Sequence, residues 1–235
     1  MTGMKYLRTL AIVALAAVGT VSCTKATPVT SARPVVVELF TSQGCSSCPP
    51  AQDVLNKLAD RPDVLALSFG VVYWDYLGWK DTFGSQAFTQ RQYDYAKGLH
   101  HAGVFTPQMV IDGLKDTTGQ SAGQVEPLIA AAKAHAGGPA VKMDSGHVTV
   151  AAGTPVTGGE VWLVRYDPRT VQVPIQRGEN SGRTLPHRNV VRQLVKLGPW
   201  TGHAVDYALP KGDAGLKTAV LVQAGTGGPI VGAAG

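Results

Sequence analysis

Two cysteines two residues apart, lodged between an apolar run and an amphipathic pattern, restrict this chain more than any other feature. The stretch T-S-Q-G-C-S-S-C-P-P-A, Thr41 to Ala51, carries Cys45 and Cys48. Ahead of it P-V-V-V-E-L-F, bounded by Pro34, reads as a buried strand. Behind Pro50 the apolar positions Ala51, Val54, Leu55 and Leu58 recur at i, i+3, i+4 and i+7, which predicts a helix to about Asp60, stopping before Pro62. Spacing alone leaves three uses for the pair: a structural staple, half of a metal site, or a working dithiol.

The whole chain narrows the compartment and the partners. At 235 residues and 44% hydrophobic it can bury a sizeable core. Its formal charge of +5 comes from scattered rather than clustered Lys and Arg, so nucleic acid is not expected as a partner. Lys5 and Arg8 precede the apolar run Leu10 to Val18, the pattern of a signal peptide whose core is too short to span a bilayer. The run ends in T-V-S-C, close to the lipobox of bacterial lipoproteins with Thr20 where Leu is usual; Cys23 is then a lipid anchor, or cleavage between Ser22 and Ala32 removes it or leaves it in a tail. Either way the exported protein keeps one pair, Cys45 and Cys48, where disulfides persist. Loss of Lys5 and Arg8 lowers the formal charge to +3.

Further along, Val64 to Tyr73 is almost continuously apolar, as a strand covered on both faces would be. Y-W-D-Y-L-G-W-K-D and Ser85 to Gly98 read as a helical insertion. Thr106-Pro107 opens a strand from Gln108 to Ile111, a turn falls near Asp112-Gly113, a short strand covers Lys115 to Thr118, and a helix with Val125, Leu128, Ile129 and Ala132 on one face runs to about His135. Gly137-Gly138 ends it. The remainder is Gly-rich with β-like runs at His147–Ala151, Glu160–Tyr166, Thr170–Pro174, Gly202–Leu209 and Leu216–Ala224, predicting a small antiparallel β domain or sheet packed on the first unit.

The order strand, C-S-S-C, helix, strand, helical insert, Thr-Pro-strand, strand, helix resembles the thioredoxin fold, and Thr106-Pro107 falls where that superfamily places its cis-proline. More narrowly, L-F-T-S-Q-G-C-S-S-C-P-P-A, Y-W-D-Y-L-G-W-K-D, F-T-Q-R-Q-Y and T-P-Q-M-V-I-D-G resemble the secreted bacterial thioredoxin-like family called domain of unknown function 1223. R-G-E-N-S-G-R-T-L-P-H-R-N-V-V-R, Arg177 to Arg192, carries the resemblance into the second half. It implies an α/β, thioredoxin-like fold with an additional C-terminal β-rich domain: signal peptide 1–22, linker 23–33, thioredoxin-like domain 34–138 and β-rich domain 139–235. The family supplies a fold and no established reaction. Its helix usually carries an acid directly after P-P-A; here Gln52 precedes Asp53, so Asp53 is given no role.

Thiols react as thiolates, and a helix N-terminus lowers a cysteine's pKa. Cys45 is therefore expected to be the exposed nucleophile and Cys48 the resolving thiol, with Pro49 and Pro50 tolerated in the first helical turn. A four-residue loop closes little chain entropy, so this pair makes a poor staple. Thr106 and Pro107 would face the dithiol. Thioredoxins keep a buried acid in the strand ahead of the cysteines as proton acceptor for the resolving thiol, and with a loop one residue longer Glu38 matches it; its alternative is a carboxylate reaching solvent at the strand end. Trp74 and Tyr76, with Tyr73 and Trp79, line a substrate groove or else form core under an inserted helix. Glu179, Asn180, Arg183, His187, Asn189 and Arg192 make either a second site or a buried network linking the two halves.

Zinc lacks a second spaced ligand pair, since His100 and His101 are adjacent and the other histidines are scattered. Copper(I) held by Cys45, Cys48 and a His or Met109 is the rival from a different class, a binding module on the same scaffold. The leading expectation is an exported, monomeric thiol–disulfide oxidoreductase without a cofactor, acting on substrate proteins, small thiols or a redox partner. Its direction depends on a reduction potential that sequence does not encode legibly.

Overall fold

A computed structural model describes residues 1–3, 33–135, 137–144 and 146–235; the expected signal peptide, Cys23 and the linker up to residue 32 lie outside them. Strand β1 (Val35–Thr41) is buried along its whole length. Alternation sends its side chains into two cores: Val35, Val37 and Leu39 into one, Val36 and Phe40 into the other. Helix α1 (Pro49–Leu58) covers the first core with Ala51, Leu55 and Leu58. Strand β2 (Val64–Gly70) lies parallel to β1, from Val35 opposite Val64 to Thr41 opposite Gly70.

β2 stops three residues before the apolar run does, and the reason is a close approach. A Cβ on Gly70 would sit 2.7 Å from the backbone of Phe83, where Gly70 bridges to Gly84. A 3-10 turn at Asp75–Leu77 then leads to α2 (Gln86–Gly98), capped by Ser85, whose Oγ accepts from the Ala87 N–H at 3.2 Å. α2 lies on the opposite face from α1: its Phe88 and Tyr95 pack edge-on against Phe69 and Phe40. Strand β3 (Gln108–Ile111) runs antiparallel to β1, and β4 (Lys115–Thr117) pairs with β3. Helix α3 (Ala122–Ala134) returns to the α1 face through Val125, Ile129 and Ala132.

The second half consists of strands β5 (Val141–Met143), β6 (His147–Val150), β7 (Gly159–Asp167), β8 (Val171–Pro174), β9 (Thr184–His187), β10 (Val190–Pro199), β11 (Val205–Ala208), β12 (Lys217–Ala224) and β13 (Ile230–Ala234). Four of them extend the first half's sheet, giving one mixed eight-stranded sheet in the order β13-β12-β7-β10-β2-β1-β3-β4. The junction is parallel, at Val190 opposite Ser68, with the Ser68 N–H donating to the Asn189 carbonyl at 3.0 Å. The halves therefore meet edge to edge instead of one packing on the face of the other. A three-stranded sheet, β11-β6-β5, covers a core around Trp200, and β8 and β9 pair as a separate hairpin.

β10, ten residues long, has no clear counterpart among the predicted runs. Register shifts between Val191 and Gln193 and between Lys196 and Gly198 break its two-residue alternation against β7. β13 escapes for another reason: I-V-G-A-A is too short and small-sided to read as a strand.

Candidate functional site

The cysteine loop connects β1 to α1 at one end of the sheet. Cys45 and Cys48 form a disulfide with a Cα–Cα separation of 5.5 Å. Both cysteines are only 2% exposed, whereas Ser46 and Ser47 between them face solvent. The expectation of an exposed Cys45 is thus not met in the disulfide form. The second half accounts for part of this enclosure. The Asn180 side chain donates to the carbonyls of Gln43 and Cys45, at 3.0 and 2.9 Å, and its Oδ1 accepts from Arg183 at 2.8 Å. Glu179 adds an acceptor for the Ser46 N–H at 3.0 Å, which holds its carboxylate below the usual range.

On the other side, Gln43 is clamped by the segment after the 3-10 turn. Its N–H donates to Asp81 at 2.7 Å and its Oε1 accepts from Trp79 Nε1 at 2.9 Å. Asp81 is 4% exposed, and burial lifts its carboxyl to about 6 although backbone N–H groups of Gln43 and Phe83 pull the other way.

The two sulfurs have different surroundings. Thr106 Oγ1 donates to Cys45 Sγ at 3.3 Å, and Trp74 Nε1 donates to Thr106 Oγ1 at 2.6 Å. An indole N–H only donates, so Thr106 accepts from Trp74 and turns its own proton to the sulfur. Ser47 Oγ stands 3.3 Å from the same sulfur. The peptide joining Thr106 to Pro107 is cis, as expected. The helix terminus contributes fewer amide donors than the sequence argument assumes. Pro49 and Pro50 have no N–H, Ala51 and Gln52 donate to the Cys48 carbonyl, and the Cys48 N–H is taken by Cys45. Side-chain hydroxyls are the donors to Cys45.

Cys48 faces a cavity of about 290 Å³, lined also by Gln52, Asp53, Arg183, Leu185 and His187. Burial lowers the His187 imidazole to about 4, so it is neutral near pH 7. Gln52 joins Ser68 and His187 in hydrogen bonds beneath the loop. Asp53, given no role from the sequence, lies on this cavity's wall, and α1 touches β9 through Gln52 with His187 and Asn56 with the Pro186 carbonyl.

Glu38 is not brought to the dithiol. It shares a β1 face with Val36 and Phe40, opposite to α1, and binds Arg91 through two hydrogen bonds of 2.7 and 3.1 Å while Tyr95 donates its hydroxyl to the same carboxylate. At 1% exposure its carboxylate is held in a buried ion pair with Arg91 and is not a solvent-facing acid. Tyr76 is 77% exposed and stacks on Trp74 at 6.2 Å between ring centres, beside the bond from Trp74 to Thr106. Met109 is fully buried in the α1 core, and His101 pairs with Asp116 at 2.8 Å on an exposed edge. Among the described residues no group of three or more His, Cys, Asp or Glu side chains is arranged to hold a metal ion.

Sequence reasoning grouped Asn180, Arg183 and His187 without geometry, and the structure joins them to the cysteine loop. Gln43, Gln52 and Asp81 stand in or beside the quoted motifs but were given no role, and Ser68 went unnoticed because a single polar residue in an apolar run carries no motif.

Two solved structures are similar to the chain. The crystal structure of protein AGR_C_4864 from Agrobacterium tumefaciens is 32% identical with a TM-score of 0.72, over 86% of this chain and 93% of that one. HBP35 of Porphyromonas gingivalis, 13% identical with a TM-score of 0.56 over 86% of this chain and 74% of that one, shares the fold alone. No curated protein matches the chain. Residues 36–223 match the family described as protein of unknown function DUF1223, and the chain belongs to that family.

Proposed function

We propose that this protein is an exported thiol–disulfide oxidoreductase of thioredoxin-like fold, whose Cys45–Cys48 pair exchanges with the thiols or disulfides of proteins or small molecules. The fold reading is supported by the strand order β2-β1-β3-β4, with parallel β1 and β2, α1 and α3 on one face and α2 on the other, and Thr106-Pro107 leading into β3. In this reading residues 34–138 are the thioredoxin-like part and 139–235 a β-rich addition that enlarges its sheet. Export is supported by Lys5, Arg8 and the apolar run that follows, with Cys23 as a lipid anchor if it is retained.

The observation that carries the chemistry is the chain from Trp74 through Thr106 to Cys45 Sγ. A donor aimed at one sulfur stabilises negative charge there, making Cys45 both the better thiolate and the better leaving group. Cys45 attacks a substrate disulfide, its partner sulfur leaves as a thiolate, and the mixed disulfide is released when Cys48 attacks Cys45. Tyr76 on Trp74 gives the substrate an aromatic surface next to the reacting sulfur. The test is trapping in the native compartment. A Cys48→Ala protein should accumulate covalent adducts through Cys45, and a Cys45→Ala protein should not. No adduct from Cys48→Ala, together with no exchange by the unaltered protein, would return the site to a binding role, with stoichiometric copper retention as its signature.

A further inference from the structure

A chain of hydrogen bonds under the loop assigns the proton on His187. The Pro186 carbonyl only accepts, so Asn56 presents Nδ2 to it, at 3.0 Å, and turns Oδ1 to Gln52. Gln52 donates Nε2 to that oxygen at 2.9 Å, which points its Oε1 at Ser68 Oγ, 3.0 Å away, and His187 Nδ1, 3.3 Å away. An amide oxygen cannot donate. Nδ1 therefore carries the ring proton, and Nε2 is a bare lone pair. That lone pair is buried and has no hydrogen-bond partner among the described residues, an arrangement that folded proteins rarely keep without a use. The imidazole also packs edge-on to Phe83, 5.4 Å between ring centres, which holds its plane.

His187 and Cys48 line the same cavity. In the disulfide, Cys48 has no hydrogen to offer; on reduction it gains an S–H. We propose that His187 Nε2 is the hydrogen-bond acceptor for the Cys48 thiol in the reduced protein, the bond forming when the freed sulfur turns toward it at the shared cavity wall. This inference rests on the thiol–disulfide reading and names the group that biases it. When two external thiols reduce the pair, the Cys45–Cys48 bond breaks, the two external sulfurs become a disulfide, and of their two protons one passes to Cys48, facing Nε2, while the other leaves to solvent. His187 takes up no proton. It is a positioning residue that satisfies itself only in the dithiol state, so it favours the reduced form and keeps Cys48 protonated while Cys45 carries the charge.

The experiment equilibrates the oxidised protein with glutathione buffers and compares it with His187→Phe and His187→Gln. Phe removes the acceptor, and relieving one unpaired buried acceptor is worth about a tenfold change in equilibrium constant. The Phe variant should therefore favour the disulfide about tenfold more, a reduction potential about 30 mV more negative. Gln, with an amide oxygen in reach, should recover part of the shift. In the unaltered protein the ¹⁵N resonance of His187 Nε2 should move on reduction while that of Nδ1 stays in place, a readout that needs no variant to fold. An unchanged constant in His187→Phe, or an Nε2 resonance indifferent to reduction, overturns the proposal and leaves the oxidoreductase reading standing. An unaltered Cys45–Cys48 pair that does not equilibrate with glutathione at all overturns both.

Discussion

Asp81 and His187 hold opposite pH dependences in one window, and Asp81→Asn should separate them. Asp81 is lifted from 3.8 to about 6 by burial. Its folded state holds a proton that the unfolded chain gives up, so the stability it contributes is complete below pH 3.8 and is lost as pH rises through about 6. At about 1.4 kcal/mol per pH unit the loss is about 3 kcal/mol. His187 is lowered from 6.5 to about 4, so its contribution is complete above pH 6.5 and is lost as pH falls through about 4, again about 3 kcal/mol. Between about pH 4 and 6 the two slopes nearly cancel in the unaltered protein. In Asp81→Asn only the histidine slope remains. The oxidised variant should gain about 3 kcal/mol relative to unaltered protein between pH 4 and 6.5, measured from urea midpoints at fixed m-value. A constant offset, from the hydrogen bond that Asn cannot offer both Gln43 and Phe83, leaves this slope untouched. Parallel profiles for the two proteins would refute the assignment of a buried, late-titrating Asp81.

Three further outcomes are expected. Asn180→Ala leaves two loop carbonyls without their donor and should cost about 3 kcal/mol by urea unfolding, because each unpaired buried group costs about 1–3 kcal/mol; a loss under about 1 kcal/mol would mean that water takes over both bonds. Glu38→Gln strands the Arg91 charge and should cost about 3–5 kcal/mol while leaving the exchange rate of the folded protein unchanged; slowed exchange at intact stability would put Glu38 back into the redox chemistry. Thr106→Val removes the donor to Cys45 and should slow thiol exchange about tenfold near neutral pH, with Trp74→Phe smaller and in the same direction; an unaltered rate would show that Ser47 alone serves the sulfur.

The legible part of the site is the part whose residues are close in sequence or whose conformation is a property of single residues. The strand, the C-S-S-C loop and two prolines opening a helix each follow from local rules of alternation, helical spacing and ring constraint, while the cis-proline after Thr106 was expected from the resemblance alone. The partners of Glu38 were hidden by parity. Its position in β1 is clear, but the face it occupies acquires meaning only once α1 is seen to cover Val35, Val37 and Leu39. The cap over the loop was hidden by distance. Asn180 bonds Cys45 across 135 positions, and His187 bonds Gln52 across the same span.

By itself the sequence determined which atoms are chemically able: a cysteine pair in a short loop, a hydroxyl residue ahead of a proline, a basic chain with an apolar run from Leu10 to Val18. Tertiary structure alone decided how those atoms differ from one another. Pro49 and Pro50 withdraw the amides that a helix end would offer, so Thr106 and Trp74, brought from other elements, supply the polarity on Cys45. β10 joins β2 at Ser68, and β9, just ahead of it in the chain, places His187 on the cavity that Cys48 also lines. Hydrogen bonds and burial act over a few ångströms of space and are indifferent to separation along the chain, which is why composition and spacing could mark the dithiol but not its surroundings.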